Sequence, residues 1–369
     1  MQTRTIGSPR RLAAALRGPA RPGLAIALCA ALAACKSSPP PPAAPPPNAE
    51  TPSPKPPAVK PPETPKGKVS TEHFHSASLG VDKDYVVYLP ADYDTKPSER
   101  FPVFYYLHGL GGDENSWLKG GHIDQAADQL GLEAIIVMPD GDAGFYVDSV
   151  TPVDYDACMK TGKGQFVPTE DHAKACVKTP AYEDYIVKDL IAEIDGKYRT
   201  IARRDGRAIA GLSMGGFGAL ELAMRHPDVF SATASHSGVD ALLYAGPHPY
   251  VTGKMQPVTD VSTWGDKVPV IGTWVRSLFG PKLDNWKAHD PSLLADKLEP
   301  GKLAIYLDCG TEDDYGLDAQ AAYLHDQLTA RKIDHAYFEG PGKHDFAFWG
   351  PRLPESLKFL RDHVAKPTT

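Results

Sequence analysis

The chain is poor in several things, and each shortage removes a class of protein. No apolar run in it approaches the roughly 20 residues that a membrane-crossing helix requires; the most apolar, LAIALCAALAA from Leu24 to Ala34, stops after 11. Positive charge is also short, with 39 Lys and Arg against 46 Asp and Glu for a formal charge of −7. Such a balance offers no basic field to a phosphate backbone, so nucleic acid is excluded as the main partner. Cysteine is scarce, 5 in 369 residues, which is too few for a disulfide-framework scaffold. No internal repeat is visible, which removes a repeat array. What remains, with 42% hydrophobic residues, is material for one large globular domain or two modest ones.

The N-terminal stretch reads as a targeting segment. Arg4, Arg10, Arg11, Arg17 and Arg21 precede the short apolar run, which ends in small residues. Its last residues, LAAC from Leu32 to Cys35, resemble the lipobox of bacterial lipoproteins. The resemblance implies a signal peptide over residues 1–35, cleavage before Cys35 and lipidation of that cysteine, which would tie the chain to a membrane. Lys36 is not the aspartate associated with inner-membrane retention, so the resemblance favours an outer-membrane address. Residues 36–68 are dominated by proline and have little apolar surface to bury. They form either a semi-rigid polyproline spacer, reaching roughly 90 Å at about 3 Å per residue, or a disordered leader. With Cys29 and Cys35 set aside, Cys158, Cys176 and Cys309 remain. In an exported protein Cys158 and Cys176 are expected to close a disulfide and Cys309 to be left over. A zinc site built from the pair with His172 matches no common ligand spacing.

From residue 69 to 366 short apolar runs alternate with helical patterns. DYVVYLP, FPVFYYLHG, LEAIIVMPDG, GRAIAGLS, KLAIYLDCG and DHAYFEGPG read as strands. YEDYIVKDLIAEIDGKY and AQAAYLHDQLTARK carry apolar residues at helical spacing. Strands apolar on both faces that alternate with helices predict a single α/β domain, with a mostly parallel sheet covered on both sides. In such a fold the ligand crevice lies beyond the carboxyl ends of the strands.

The chemistry-bearing motifs fall there. Gly211-Leu212-Ser213-Met214-Gly215 is a GxSxG sequence between a strand and a helix, the context of a nucleophile elbow. A serine hydroxyl needs a base to take its proton and an acid to orient that base. Both must follow the serine in this fold. His344, on a glycine-containing loop after the last strand, is the candidate base, whereas His325 and His335 lie within a helix and a strand and read as structural. The acid should come from LDCGTEDDYGLD, which offers Asp308, Glu312, Asp313, Asp314 and Asp318. For the oxyanion, the amides of Met214 and of Leu110 in the loop HGLGG are the expected donors. His108 in that loop reads as structural.

Taken in order, PVFYYLHGLGGDENSW, VMPDGDAGFYVDS, YEDYIVKDLIAEIDGKYRT, AIAGLSMGGFGALELAMRHPDVF, DCGTEDD and GKHDFAFW resemble the Putative esterase family over most of residues 74–365. That family includes esterase D (S-formylglutathione hydrolase), feruloyl and acetylxylan esterases, and mycolyltransferases. The resemblance implies an α/β-hydrolase fold, a Ser213–His344–Asp313 triad, and oxyanion amides from Leu110 and Met214. The acid is placed by counting three residues beyond Gly310, with Asp314 as the alternative. Two stretches depart from the family. Residues 153–180, which hold the cysteine pair, look like an insertion, and residues 242–281 look like a cap; both would shape the substrate pocket. The acidic loop with Asp140, Asp142 and Asp148 is explained as lining that pocket rather than binding calcium. The expected activity is hydrolysis of a small-molecule or polysaccharide-linked carboxylic ester through an acyl-enzyme, with no metal or cofactor. Two alternatives are acyl transfer to a sugar or cell-wall acceptor, and a non-catalytic envelope-binding protein on the same scaffold. An export leader argues against glutathione thioesters as substrates.

Overall fold

A computed structural model describes residues 66–163, 166 and 171–369. The signal segment, Cys35 and the proline-rich stretch to residue 65 lie outside the described residues. Eight strands make one sheet: β1 (Lys68–Ser76), β2 (Val81–Leu89), β3 (Val103–Leu107), β4 (Ile135–Pro139), β5 (Arg207–Leu212), β6 (Ala232–His236), β7 (Ala304–Gly310) and β8 (His335–Gly340). Their spatial order is β1-β2-β4-β3-β5-β6-β7-β8. The first two pairings are antiparallel and the remaining five parallel. This is the arrangement of the α/β-hydrolase fold that the sequence predicts.

Apart from Arg207 at the start of β5, the central strands are buried throughout because both faces are covered. On one face Val103, Tyr105, Leu107, Val137 and Ile209 pack with Tyr185, Ile186 and Ile194 of the helical stretch after Ala181 and with Phe217 and Leu220 of helix Met214–Arg225. On the other, Phe104, Tyr106, Ile136, Met138, Ala208 and Ala210 meet Trp117, helix Ile123–Leu130 and helix Phe346–Asp362. No helix among the described residues is long and apolar enough to cross a membrane.

Two strands escape the sequence reading. β6, ATASH, has no large apolar side chain, yet it is fully buried. Its small residues allow close helix approach on one side, where the Thr233 hydroxyl donates to Ala219 O at 3.0 Å. β1, KVSTEHFHS, is an edge strand held by its register with β2 and largely exposed. Because β1 runs antiparallel to β2, and β2 antiparallel to β4, Lys68 enters beside Leu89 at the end of the sheet where the parallel strands begin. Thr368 is bonded to Arg100, just ahead of β3, at that same end.

Residues 153–180 contain helices Tyr155–Thr161 and His172–Ala175, joined by the expected Cys158–Cys176 disulfide with Cα atoms 5.8 Å apart. Cys309 is a buried free thiol. Residues 242–281 hold helix Pro269–Phe279, which packs on the loop after β4: Trp274 Nε1 donates to Ala143 O at 2.8 Å and Val150 N to Leu278 O at 2.9 Å. Phe166 of the insertion lies against Trp274, 5.8 Å between ring centroids.

Candidate active site

The carboxyl ends of β3, β5, β7 and β8 carry the loops that hold Leu110, Ser213, Met214, Asp313 and His344. At the end of β5 the backbone turns sharply. Ser213 has φ 54° and ψ −118°, a conformation a side-chain-bearing residue adopts only under constraint, and helix Met214–Arg225 begins at the next residue. The turn closes because Gly211 and Gly215 lack side chains. A Cβ on Gly211 would stand 2.2 Å from Gly215 O, and one on Gly215 would stand 2.3 Å from Leu107 O. Ser213 N continues the ladder by donating to His236 O at 2.9 Å.

His344 and Asp313 arrive on neighbouring loops that are bonded to each other beyond their strands. Thr311 N donates to Gly340 O at 2.8 Å and Glu312 N to Gly342 O at 2.9 Å. Within that frame His344 Nε2 lies 2.9 Å from Ser213 Oγ, and His344 Nδ1 lies 2.7 Å from Asp313 Oδ2. The Asp313 side chain has no exposed surface. Its other oxygen accepts from Tyr315 N at 2.9 Å and Leu317 N at 3.3 Å, so both lone-pair regions are engaged. The imidazole is held edge-to-face by Tyr315 and Trp349, at 4.8 and 4.9 Å between centroids. Trp349 is itself fixed by donating to Ser237 Oγ at 3.0 Å. Neither aromatic is singled out by sequence reasoning, although Trp349 closes the motif GKHDFAFW and Tyr315 follows the acid by two residues.

The other acids of the loop part company with Asp313. Glu312 and Asp314 are exposed. Asp308 is fully buried and binds His236 Nδ1 at 2.9 Å and the Tyr306 hydroxyl at 2.9 Å. Asp318 pairs with His248 of the cap segment at 2.8 Å. His325 and His335 contact each other at 2.7 Å, away from the serine.

The loop after β3 lies against the nucleophile, since a Cβ on Gly109 would sit 3.3 Å from Ser213 Cβ. Among the described residues the backbone N–H groups of Leu110 and Met214 have no hydrogen-bond acceptor. His108 is fully engaged in shaping that loop: its Nδ1 donates to Gly109 O at 2.8 Å and its Nε2 accepts from Gly141 N at 2.9 Å.

Three acidic clusters could suggest a cation site, and each holds a protein cation. Buried Lys83 reaches across from β2 to Asp140 at 2.7 Å and Asp142 at 2.8 Å, and donates to Lys174 O at 3.0 Å. Burial opposes the Lys83 charge, but the two carboxylates outweigh it and hold its pKa above the ordinary lysine value. Asp148 instead accepts the amides of Glu183 and Asp184. The DGDAGFYVDS loop is therefore an internal salt-bridge anchor, and Lys83 is a residue that sequence reasoning missed, 57 positions from Asp140. Arg225 bonds both Glu183 and Glu221 beside His289, and Lys96 pairs with Asp92, Glu99 and Glu133.

The arrangement is a buried carboxylate, an imidazole bonded to it, and a hydroxyl on a strained turn beside two unpaired amides. The chain is similar to several known proteins. An esterase of Mycobacterium tuberculosis is 33% identical over 177 residues, covering 46% of this chain and 32% of that protein, so the chain spans about a third of that relative's length. A diacylglycerol acyltransferase/mycolyltransferase of Mycobacterium gordonae is 28% identical over 268 residues, covering 68% of this chain and 69% of the other. Among solved structures, a ferulic acid esterase superposes with a TM-score of 0.58 at 23% identity, over 81% of this chain and 99% of the other, a likeness of fold. The Putative esterase model matches residues 76–360, from the last residue of β1 into the closing helix, and the chain belongs to that family.

Proposed function

We propose that the protein is an exported, lipid-anchored carboxylic ester hydrolase that works through Ser213, His344 and Asp313. The observation that carries the reading is the unbroken hydrogen-bond chain from Ser213 Oγ through both nitrogens of His344 to a carboxylate shielded from water. In this mechanism His344 Nε2 takes the hydroxyl proton as Ser213 Oγ attacks the ester carbonyl. Asp313 fixes the tautomer with the proton on Nδ1 and stabilises the imidazolium that forms. The amides of Leu110 and Met214, unpaired by protein groups, face the developing oxyanion. His344 then protonates the departing alcohol, and water, deprotonated by the same nitrogen, cleaves the acyl-enzyme to acid and free serine. No step requires a metal or an organic cofactor.

The backbone of Ser213 argues for chemistry over a purely binding scaffold, because φ 54° with ψ −118° between a strand and a helix is the sharp turn that presents a nucleophile. Export is supported by the Cys158–Cys176 disulfide, which persists in an oxidising compartment. The substrate class is a small-molecule or polysaccharide-linked ester, with the 153–180 and 242–281 segments as pocket walls. A second reading, transfer of the acyl group to an alcohol, rests on the acyltransferase from Mycobacterium gordonae among the relatives. The test is turnover of p-nitrophenyl acetate: Ser213→Ala should lose at least about 10³-fold in kcat, and an unchanged rate would overturn the assignment. Adding alcohol acceptors to the wild-type assay separates the two readings by whether a transfer product appears.

A further inference from the structure

A concave surface lies on the flank of the domain, between residues 250–255 of the cap segment and helix Leu317–Ala330. It is a groove of about 540 Å³, within the roughly 300–1,000 Å³ typical of ligand sites. Two aromatic rings stand in its walls. Tyr250 and Tyr323 line it, their ring centroids 6.0 Å apart, and Tyr244 completes the cluster at 6.5 and 5.8 Å from them. Its polar groups are hydrogen-bonding but not basic: no lysine or arginine lines it. Asp326 Oδ2 accepts from the Tyr250 and Thr252 hydroxyls, both at 2.8 Å. Among the described residues no protein group donates to Asp326 Oδ1, and the Gln327 side-chain amide has no protein partner.

We propose that this groove binds a neutral saccharide, stacking sugar rings on Tyr250 and Tyr323 and pairing sugar hydroxyls with Asp326 and Gln327. A sugar ring presents an apolar C–H face and an equator of hydroxyls that both donate and accept. Flat amphipathic rings beside one open carboxylate oxygen and one open amide meet both requirements. An anionic ligand would find no cation there and would meet the Asp326 charge. A bare cation would leave the Gln327 donors unused.

The groove is coupled in space to the serine site. Helix Leu317–Ala330 starts where Asp313 accepts Leu317 N, and the groove residues Tyr323 to Gln327 lie about 9–15 Å along it at 1.5 Å per residue. His248 of the opposite wall segment is tied to Asp318 in the first turn of the same helix. A chain held in the groove could therefore carry an ester a few sugar units away toward Ser213. Binding itself does not depend on the hydrolase reading and is measured on an enzyme that cannot turn over.

The test is affinity electrophoresis of Ser213→Ala in gels containing soluble arabinoxylan, glucomannan or β-glucan, with the double variants Tyr250→Ala/Ser213→Ala and Gln327→Ala/Ser213→Ala beside it. At least one polymer should retard Ser213→Ala, and either further substitution should weaken that retardation tenfold or more. In the wild-type background, Gln327→Ala should keep p-nitrophenyl acetate turnover within twofold and lose rate only on the retained polymer bearing ester groups. Equal mobility with and without all three polymers would overturn the proposal. So would retardation that both substitutions leave unchanged.

Discussion

At the scale of single residues, what distinguishes Asp313 from its neighbour is what surrounds the carboxylate. Asp313 is shielded from water with both oxygens bonded, whereas Asp314 faces solvent. Asp313→Asn should leave the fold intact but drop kcat by about 10³–10⁴-fold, because the amide cannot hold the same imidazole tautomer. Asp314→Asn should stay within about twofold, and steady-state kinetics on one ester decides between them. A different carboxylate governs a pH effect. Asp240 is fully buried, accepts one bond from Ser235 Oγ at 2.6 Å, and has its other oxygen unpaired. Burial pushes its pKa up to about 7, Asp308 and Asp313 adding to the rise while the Ser235 bond opposes it. A raised folded-state value means that the folded protein holds this proton where the unfolded chain has released it. The stability contribution is full below about pH 4 and is lost as pH rises toward 7. Asp240→Asn, which never ionises, should therefore gain on the wild type across that interval, by up to about 4 kcal/mol. Urea unfolding at pH 4.5 and 7.5 reads the difference, and a pH-independent difference between the two proteins would refute it.

At the scale of elements, Lys83 shows how one side chain joins segments distant in sequence. Its ammonium sits between Asp140 and Asp142 after β4 and holds the carbonyl of Lys174 in the disulfide-bearing insertion. Lys83→Met should destabilise by about 3–5 kcal/mol, because it leaves two buried carboxylates facing each other without a counter-charge; chemical denaturation measures it. Such cross-sheet pairing is invisible in sequence, since a lone lysine in a strand looks like a solvent-facing residue. Elements with a strong local pattern were legible: β3, β4, β5, β7 and β8 fall within the runs read as strands, and β2 was read from Asp84, three residues after it begins, because Val81-Asp82-Lys83 breaks the apolar run. β6 was not, because Ala-Thr-Ala-Ser-His owes its strand state to two flanking strands and to helices that require small side chains. The site was easier to read than the scaffold. Ser213 and His344 are marked by local sequence context, and strand-end loops bring them together with Asp313. The aromatic clamp of Tyr315 and Trp349 was not readable, because edge-to-face contact leaves no spacing signature.

At the scale of the whole molecule, the proposed anchor can be tested apart from the chemistry. If Cys35 carries a lipid, cells fed a labelled fatty acid should incorporate it into the full-length chain and not into Cys35→Ala, with the variant shifting from the membrane to the soluble fraction. Equal labelling of both would remove the anchor. The path of the chain through the domain bears on how any such tether would serve it. Lys68 enters, and Thr368 is held, at the end of the sheet where the parallel strands begin, while Ser213 and His344 sit at the end where they finish. A domain held at Lys68 or at Thr368, on a bead, a fusion partner or a cell surface, would thus turn the strand ends that carry Ser213 and His344 away from the support, toward large or insoluble material.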